Sequence, residues 1–211
     1  MIQYPDAHTH RRSALLPLTL RSLHLDEVSE IDPRGRYSVG VHPWKMSDEF
    51  SFDERQFEAL LSLPGVVAVG ECGIDRLRGV SMETQLEVFE AQIRMADAMG
   101  LPVVMHNVRA QAEFMTLAAR YPAVRFVWHG FRGGVEMAHQ LLRRGVILSF
   151  GVRYNEAALR EVPLESLLLE SDESEDEALA LLYRQAAVCR GVSTAELADA
   201  MSRNMQTLFR I

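Results

Sequence analysis

Lysine, cysteine and long apolar runs are scarce in this chain. Lys45 is the only lysine among 211 residues, and the two cysteines, Cys72 and Cys189, form no CxxC pair. The cysteines therefore indicate neither a redox pair nor a thiolate metal site, and we expect two buried free thiols. No apolar run approaches the roughly 18 residues that a membrane span needs. The N-terminus lacks the basic flank and apolar stretch of a signal peptide, so we expect a cytoplasmic protein.

The charge of the chain limits its partners. The net charge is -7, and an acidic chain attracts nucleic acid poorly without specific contacts. It does not exclude a nuclease, since bound cations supply local positive charge for a phosphate. No membrane or obligate protein partner is indicated. The length suits a single domain over residues 1–211.

Short apolar runs recur along the chain, and a helical pattern follows most of them. The runs predict eight strands, at Ile2–Ala7, Pro17–Leu25, Tyr37–Val41, Val66–Gly70, Pro102–Met105, Arg125–Trp128, Val146–Phe150 and Ser166–Leu169. Helices are predicted at Phe52–Leu63, Met82–Met99, Arg109–Tyr121, Val135–Arg144, Ser174–Arg190 and Thr194–Arg210. Ser193 and Glu196 have the spacing of a capping box before the last helix.

This alternation predicts a small α/β protein with a (β/α)8 TIM-type barrel. The segment from Arg11 to Arg36 has room for one strand but for no convincing helix, so the helix between strands 1 and 2 is expected to be reduced or missing. An open doubly wound sheet is the alternative. The chain has no GxGxxG or GxxxxGK[ST] loop to support it.

Polar residues follow five of the predicted strands, at their carboxyl ends. In a parallel barrel those ends share one face, where active sites form. Residues i and i+2 of a strand point to the same side, so His8 and His10 are able to reach one ion. The sequence thus predicts one divalent metal site built from His8, His10, Glu71, His106, His129 and Asp172. His24, by contrast, is expected to be structural.

Several segments together resemble the TatD family of metal-dependent, deoxyribonuclease-like hydrolases within the amidohydrolase-type barrels. The segments are Asp6–His10, Val39–Trp44, Val69–Asp75, Pro102–Arg109, Trp128–Gly133, Leu168–Asp172 and the tail Asn204–Phe209. They span the chain nearly end to end and follow the order of the family.

The resemblance implies roles for these residues. His8 and His10 would bind one metal ion with Glu71 and Asp172, and Glu71 would bridge to a second ion held by His106 and His129. Asp172 would also take the proton from the attacking water, so Asp172 and Glu71 are the candidate catalytic groups. Four imidazoles favour Zn, Mn, Ni or Co on ligand softness, whereas the family is often described as Mg-dependent. One or two ions of any of these metals are therefore expected.

Four further residues are candidates for substrate contact or for support of the ligands. His42 resembles a family position near the substrate, with a satisfied loop histidine as the alternative. Arg109 would meet an anionic substrate or lie in solvent as a first-turn residue. Asp75 would orient a ligand histidine or cap a loop or helix. Glu170 lies two residues before Asp172 and is interpreted as a support for the metal ligands rather than a structural carboxylate.

The surroundings of the predicted ligands depart from the family pattern. Asn107 stands where the family usually has serine, and the acidic run Glu173–Asp176 replaces a proline-containing loop. The resemblance and the ligand set favour a phosphodiesterase, of the exonuclease type of deoxyribonuclease. Single-stranded DNA or a small phosphoester is then the candidate substrate. Hydrolysis of small amides, esters or lactones is the alternative, although enzymes of that kind commonly use a carboxylated bridging lysine and no lysine ends a strand here. A non-catalytic binding scaffold is the third possibility, and no ligand residue is missing to favour it.

Overall fold

Eight parallel strands form one sheet whose order follows the chain. The computed structural model describes residues 3–12, 18–47 and 49–211. The strands are β1 (Asp6–Thr9), β2 (Thr19–His24), β3 (Tyr37–Gly40), β4 (Val66–Asp75), β5 (Val103–Val108), β6 (Phe126–Trp128), β7 (Ile147–Phe150) and β8 (Leu167–Leu169). A parallel bridge between Thr9 and Asp172 joins the end of β1 to the segment after β8.

The described part of the chain contains seven α-helices, of which five lie between successive strands from β3 to β8 and two follow β8. They are α1 (Glu54–Leu61), α2 (Met82–Met99), α3 (Gln111–Ala118), α4 (Val135–Leu142), α5 (Glu156–Glu161), α6 (Asp176–Arg190) and α7 (Thr194–Phe209). Short 3-10 helices cover Leu25–Glu30, Pro43–Lys45 and Leu164–Ser166. α5 was not predicted from the sequence, because its six residues are too few to show a helical period.

The helix ends follow from local chemistry. Ser81 caps α2 by accepting a hydrogen bond from the Thr84 backbone N–H, and Gly100 ends that helix in the left-handed conformation. The predicted capping box of α7 is present, since Ser193 and Glu196 each accept a hydrogen bond from the other's backbone. No helix of the described residues is long and apolar enough to cross a lipid bilayer.

The connection between β1 and β2 is short. It consists of residues 10–18, and residues 13–17 lie outside the described part of the chain. A helix of three turns needs about 11 residues, so this segment is too short for one. Its length agrees with the expected reduction of the first barrel helix.

Three strands run further than the sequence predicted. β1 continues through His8 to Thr9, β4 continues through Glu71 to Asp75, and β5 continues through His106 to Val108. The prediction ended each of them where polar residues begin, which is wrong for these three strands. In a strand, alternate side chains face one side, so polar groups extend into a functional site without ending the strand.

The chain divides into two compact units. The terminal unit consists of Met1–Arg21 and Val127–Ile211, and the central unit is Ser22–Phe126. Large buried side chains fill each of them, including Phe131, Phe150 and Tyr183 in the terminal unit and Tyr37, Phe57, Phe89 and Phe114 in the central unit. The assignment of one domain to residues 1–211 stays a prediction.

Candidate metal sites

The terminal unit brings together three of the predicted ligands. Nε2 of His8 and Nε2 of His10 each lie 3.9 Å from Oδ1 of Asp172. Two ligand atoms that are each about 2.0–2.2 Å from one ion stand roughly 3–4 Å apart. These distances are too long for hydrogen bonds and fit ligand atoms around a cation. Two imidazoles and a carboxylate are a donor set suited to Zn, Mn, Ni or Co.

Asp172 has a backbone conformation that is unusual for a residue other than glycine. Its φ is 55°, in the left-handed region, which asparagine and aspartate adopt more readily than most residues. Its N–H donates to the His8 carbonyl at 2.9 Å, and its own carbonyl accepts from His10 N–H at 3.2 Å. These bonds fix the carboxylate beside the two histidines. The Asp172 side chain is 39% exposed, so solvent reaches it.

Asp6 supports this arrangement from the interior, a role that sequence analysis did not assign. The Ser171 N–H donates to Asp6 Oδ1 at 2.9 Å, and the Ser171 hydroxyl donates to Oδ2 at 2.6 Å. Burial raises the pKa of Asp6 to about 6, although the Ser171 hydrogen bonds oppose the shift. Asp6 lies two residues before His8 on the same strand, and that spacing was the only sequence signal for it.

His129 is held by Glu170 in the same unit. Nδ1 of His129 lies 3.3 Å from Oε1 of Glu170, and the ring of His129 lies 4.3 Å from that of His8 between centroids. Glu170 is fully buried and also accepts hydrogen bonds from Gly130 N–H and from the Ser149 hydroxyl. Burial alone would raise the pKa of Glu170, but His129, the nearby His8 and the Ser149 hydrogen bond lower it below its usual range. A carboxylate behind a histidine fixes its tautomer and ring orientation in metal sites.

The central unit brings together Glu71, His106 and His42. Oε1 of Glu71 lies 3.0 Å from Nδ1 of His106 and 3.1 Å from Nε2 of His42. The Trp44 N–H donates to Nδ1 of His42 at 3.1 Å, so neutral His42 carries its proton on Nε2 and donates it to Glu71. His42, predicted as a possible substrate contact, is thus a direct neighbour of a predicted ligand. His24, expected to be structural, lies 6.1 Å from His42 between ring centroids.

Asp75 supports His106 in the way that Glu170 supports His129. Oδ2 of Asp75 lies 3.3 Å from Nε2 of His106 and accepts from the Trp44 indole N–H at 2.7 Å. Burial would raise the pKa of Asp75, but hydrogen bonds from Leu77 N–H, Trp44 and His106 lower it below its usual range. The buried Gln85 also bonds both backbone groups of Asp75.

Glycines on either side of Glu71 let β4 approach β5 closely. Gly70 and Gly73 have φ values of 140° and 146°, which side chains rarely permit. A Cβ on Gly70 would lie 2.3 Å from the Val104 carbonyl oxygen, and one on Gly73 would lie 2.0 Å from that of His106. The Gly-Glu-Cys-Gly sequence therefore sets Glu71 against His106.

The remaining sequence candidate, Arg109, lies outside these clusters. It is exposed just after β5 with φ 53°, and its carbonyl accepts a hydrogen bond from Nε of Arg76 at 3.0 Å. A contact with an anionic substrate stays a prediction for its side chain. The sequence assigns no role to Trp44 either, since nothing in the local pattern distinguishes this residue from an aromatic residue of an ordinary loop.

Comparison with known proteins identifies the family. The family model described as TatD related DNase matches residues 18–210. The chain belongs to this family. It is 31% identical to the 3'-5' ssDNA/RNA exonuclease TatD of Pantoea vagans, over 91% of this chain and 85% of the relative. It is 29% identical to YabD of Bacillus subtilis, called an uncharacterized metal-dependent hydrolase, over 82% of this chain and 77% of the relative.

A solved structure shows the fold. The TatD homologue YJJV of Escherichia coli K12 superposes with a TM-score of 0.84 at 23% identity, covering 100% of this chain and 99% of that one. The predicted (β/α)8 barrel and the predicted family are therefore confirmed. The chain is a hydrolase of the TatD type, and both of its units contain histidine and carboxylate groups able to hold a metal ion.

Proposed function

We propose that this chain is a divalent-metal-dependent phosphodiesterase that removes nucleotides from single-stranded nucleic acid, as an exonuclease. The observation that carries the proposal is the clustering of imidazole and carboxylate groups in both units of a TatD-type chain. The single-stranded substrate is transferred from the activity in the name of the Pantoea vagans relative.

The proposed ligands are those predicted from the sequence: His8, His10, Glu71, His106, His129 and Asp172. One or two ions of Zn, Mn, Ni, Co or Mg would occupy them. Bound ions of this kind polarise a phosphoryl oxygen and lower the pKa of water to about 7. The assignment of Glu71 to both ions rests on the family resemblance and stays a prediction.

The carboxylate side chains of the candidate sites have different proposed roles. Asp172 is the proposed proton acceptor, because its carboxylate is exposed to solvent while Oδ1 faces His8 and His10. Glu71 is 4% exposed and lies between two imidazoles, which suits a ligand rather than a base that exchanges protons with solvent. Glu170 and Asp75 hold the rings of His129 and His106 in place.

Two observations bear on the other functions. Lys45, the only lysine, lies exposed in the 3-10 helix Pro43–Lys45, which disfavours the bridging-lysine chemistry common among amide and lactone hydrolases. All six predicted ligand residues are present, which disfavours a binding scaffold without activity. The cytoplasmic location stays a prediction.

An assay with defined metals tests the proposal. Protein stripped with a chelator is reconstituted with each candidate metal and given a 5'-labelled single strand, a blunt duplex, and small amide, ester and lactone substrates. The proposal predicts a ladder of progressively shortened single strands only after metal is restored. Turnover of a carbonyl substrate with the single strand left intact under every metal would contradict it.

A further inference from the structure

Trp44 is a large aromatic side chain exposed beside the central candidate site. It is 44% exposed, and its ring lies 4.9 Å from that of His42 and 5.3 Å from that of His106 between centroids. Indole rings are mostly buried because they remove so much apolar area from water. An exposed indole ring next to a cluster of candidate metal-binding side chains therefore indicates a surface that binds a planar molecule.

The indole is held in one orientation. Its Nε1–H donates to the buried Asp75 carboxylate at 2.7 Å, and the Trp44 backbone N–H donates to His42 at 3.1 Å. Pro43 precedes Trp44 in the 3-10 helix and restricts the backbone there. A ring that is already fixed loses little conformational entropy when a ligand stacks on it.

Positive charge accompanies the ring, although the chain as a whole is acidic. The Arg78 guanidinium carbon lies 4.1 Å above the Trp44 ring centroid, and Lys45 is the next residue along the chain. Arg78 and Lys45 are both exposed. Arginine stacked on an aromatic ring retains N–H groups that are able to bind a phosphate. An aromatic face beside cations is the combination that single-strand-binding proteins use for bases and backbone.

We infer that Trp44 and Arg78 form a platform on which a nucleobase of the single-stranded substrate stacks. The base would rest against the indole and guanidinium, and Lys45 would attract the backbone phosphates. Since Trp44 lies against His42 and Asp75, a stacked base places its neighbouring phosphodiester near the central ligands. The inference rests on the proposed function and specifies how that function selects nucleic acid.

Binding without cleavage tests the platform. Metal-reconstituted protein is titrated with a labelled phosphorothioate oligothymidylate, and with the same oligonucleotide carrying abasic residues at its 3' end. Loss of one base–aromatic stack corresponds to roughly a 5- to 150-fold weakening of binding. We expect Trp44→Leu to weaken binding of the base-bearing strand by this factor and that of the abasic strand by less than about twofold.

Two further variants separate stacking from positioning. Trp44→Phe keeps an aromatic face but loses the N–H that bonds Asp75, so it should retain most of the preference for the base-bearing strand. Val188→Ala, at an exposed site in α6, should bind both strands like the wild type. Metal content and thermal unfolding of each variant show whether the site itself has changed.

Any of three results would contradict the stacking platform. The first is that Trp44→Leu weakens binding of the base-bearing and abasic strands equally. The second is that Trp44→Phe and Trp44→Leu lose the preference for the base-bearing strand equally, and the third is that the wild type has no such preference. A separate assay on bis(p-nitrophenyl) phosphate, which contains no base, tests phosphodiester hydrolysis alone. Absence of hydrolysis in that assay would contradict the proposed function, whereas the ratio of affinities for the base-bearing and abasic strands tests the platform.

Discussion

The two units present their candidate ligands in different states. In the terminal unit, Asp172 stands 3.9 Å from both His8 and His10, a spacing that matches ligands around an ion. In the central unit, Glu71 is in hydrogen-bonding contact with His42 and His106 at 3.0–3.1 Å. Oδ1 of Asp172 thus lies beyond hydrogen-bonding distance of these two nitrogens, whereas Oε1 of Glu71 lies within hydrogen-bonding distance of both of its neighbouring imidazoles.

Both units nevertheless contain a carboxylate–histidine pair of the same kind. In each pair, a buried carboxylate contacts one ring nitrogen of a histidine: Glu170 contacts His129, and Asp75 contacts His106. The difference lies in the ligand carboxylates, since Asp172 is partly exposed and Glu71 is buried. This contrast in exposure is the basis for proposing Asp172 as the proton acceptor and Glu71 as a metal ligand.

The largest expected effect concerns this contrast in roles. Asp172→Asn should lower kcat by about 10²–10⁴ with the fold intact, because asparagine tolerates the left-handed backbone but cannot accept a proton. Its kcat at saturating metal and its melting temperature are the measurements. His106→Ala is the comparison, and there excess metal should restore part of the activity. Recovery of wild-type turnover by Asp172→Asn at high metal would make Asp172 a ligand only.

The next largest expected effect is on stability, and it results from the close approach of β4 and β5 in the central unit. Gly73→Ala should lower the free energy of unfolding by about 3 kcal/mol or more, from backbone strain plus the collision with the His106 carbonyl. Gly100→Ala is the control, since Gly100 has a positive φ with open space around it, and its cost should be about 1–2 kcal/mol. Urea denaturation of both variants measures the difference. Equal losses would show that the collision is relieved without cost.

The buried aspartates of the two units should respond to pH with opposite signs. The pKa of Asp6 rises from 3.8 to about 6 on folding, so its ionisation destabilises the fold as pH rises through this range. At about 1.4 kcal/mol per pKa unit, the cost is about 3 kcal/mol above pH 6 and is absent below pH 4. The pKa of Asp75 is lowered, so its contribution is instead lost as pH falls.

Asp6→Asn provides the test of that pH dependence. In metal-free protein, the variant should gain stability relative to the wild type between pH 4 and pH 7, by urea denaturation at each pH. Asp199→Asn, an exposed position in α7, should follow the wild-type curve. Parallel curves for Asp6→Asn and the wild type would show that Asp6 titrates normally in the folded protein.

The smallest expected effects come from removing the charge of the carboxylate in each carboxylate–histidine pair. Glu170→Gln and Asp75→Asn should each weaken metal binding by about 10- to 100-fold, because each histidine loses the charge that holds its tautomer. Competition with a fluorescent metal chelator gives the affinities. Similar losses of metal affinity would confirm that the carboxylate has the same role in both units. A loss in only one variant would show that the carboxylate has this role in that unit alone.

The sequence predicted the clustered candidate ligands better than the residues that support them. His8 and His10 lie two residues apart at the end of β1, and Asp172 follows an apolar strand, so local pattern alone selected them as candidates. Asp6 and Trp44 act through contacts with Ser171 and Asp75, which are distant in sequence. Such contacts depend on which strands become neighbours, and hydrophobic periodicity contains no information about them.

The same limit applied to the ends of the strands. Apolar periodicity located all eight strands, but it ended β1, β4 and β5 early because His8, Glu71 and His106 are polar. A polar side chain does not by itself end a strand. The glycines at positions 70 and 73 were visible in the sequence, yet their positive φ and the carbonyl groups they face are properties of the folded sheet.

Metal content measured together with hydrolysis tests the central claim most directly. Wild type, His8→Ala in the terminal unit and His106→Ala in the central unit are stripped, reconstituted with Mn or Zn, and analysed for bound metal and for shortening of a single strand. The account predicts one or two ions per wild-type chain, fewer in both variants, and no shortening by stripped wild type. Full shortening by stripped protein, or wild-type metal content in both variants, would contradict it.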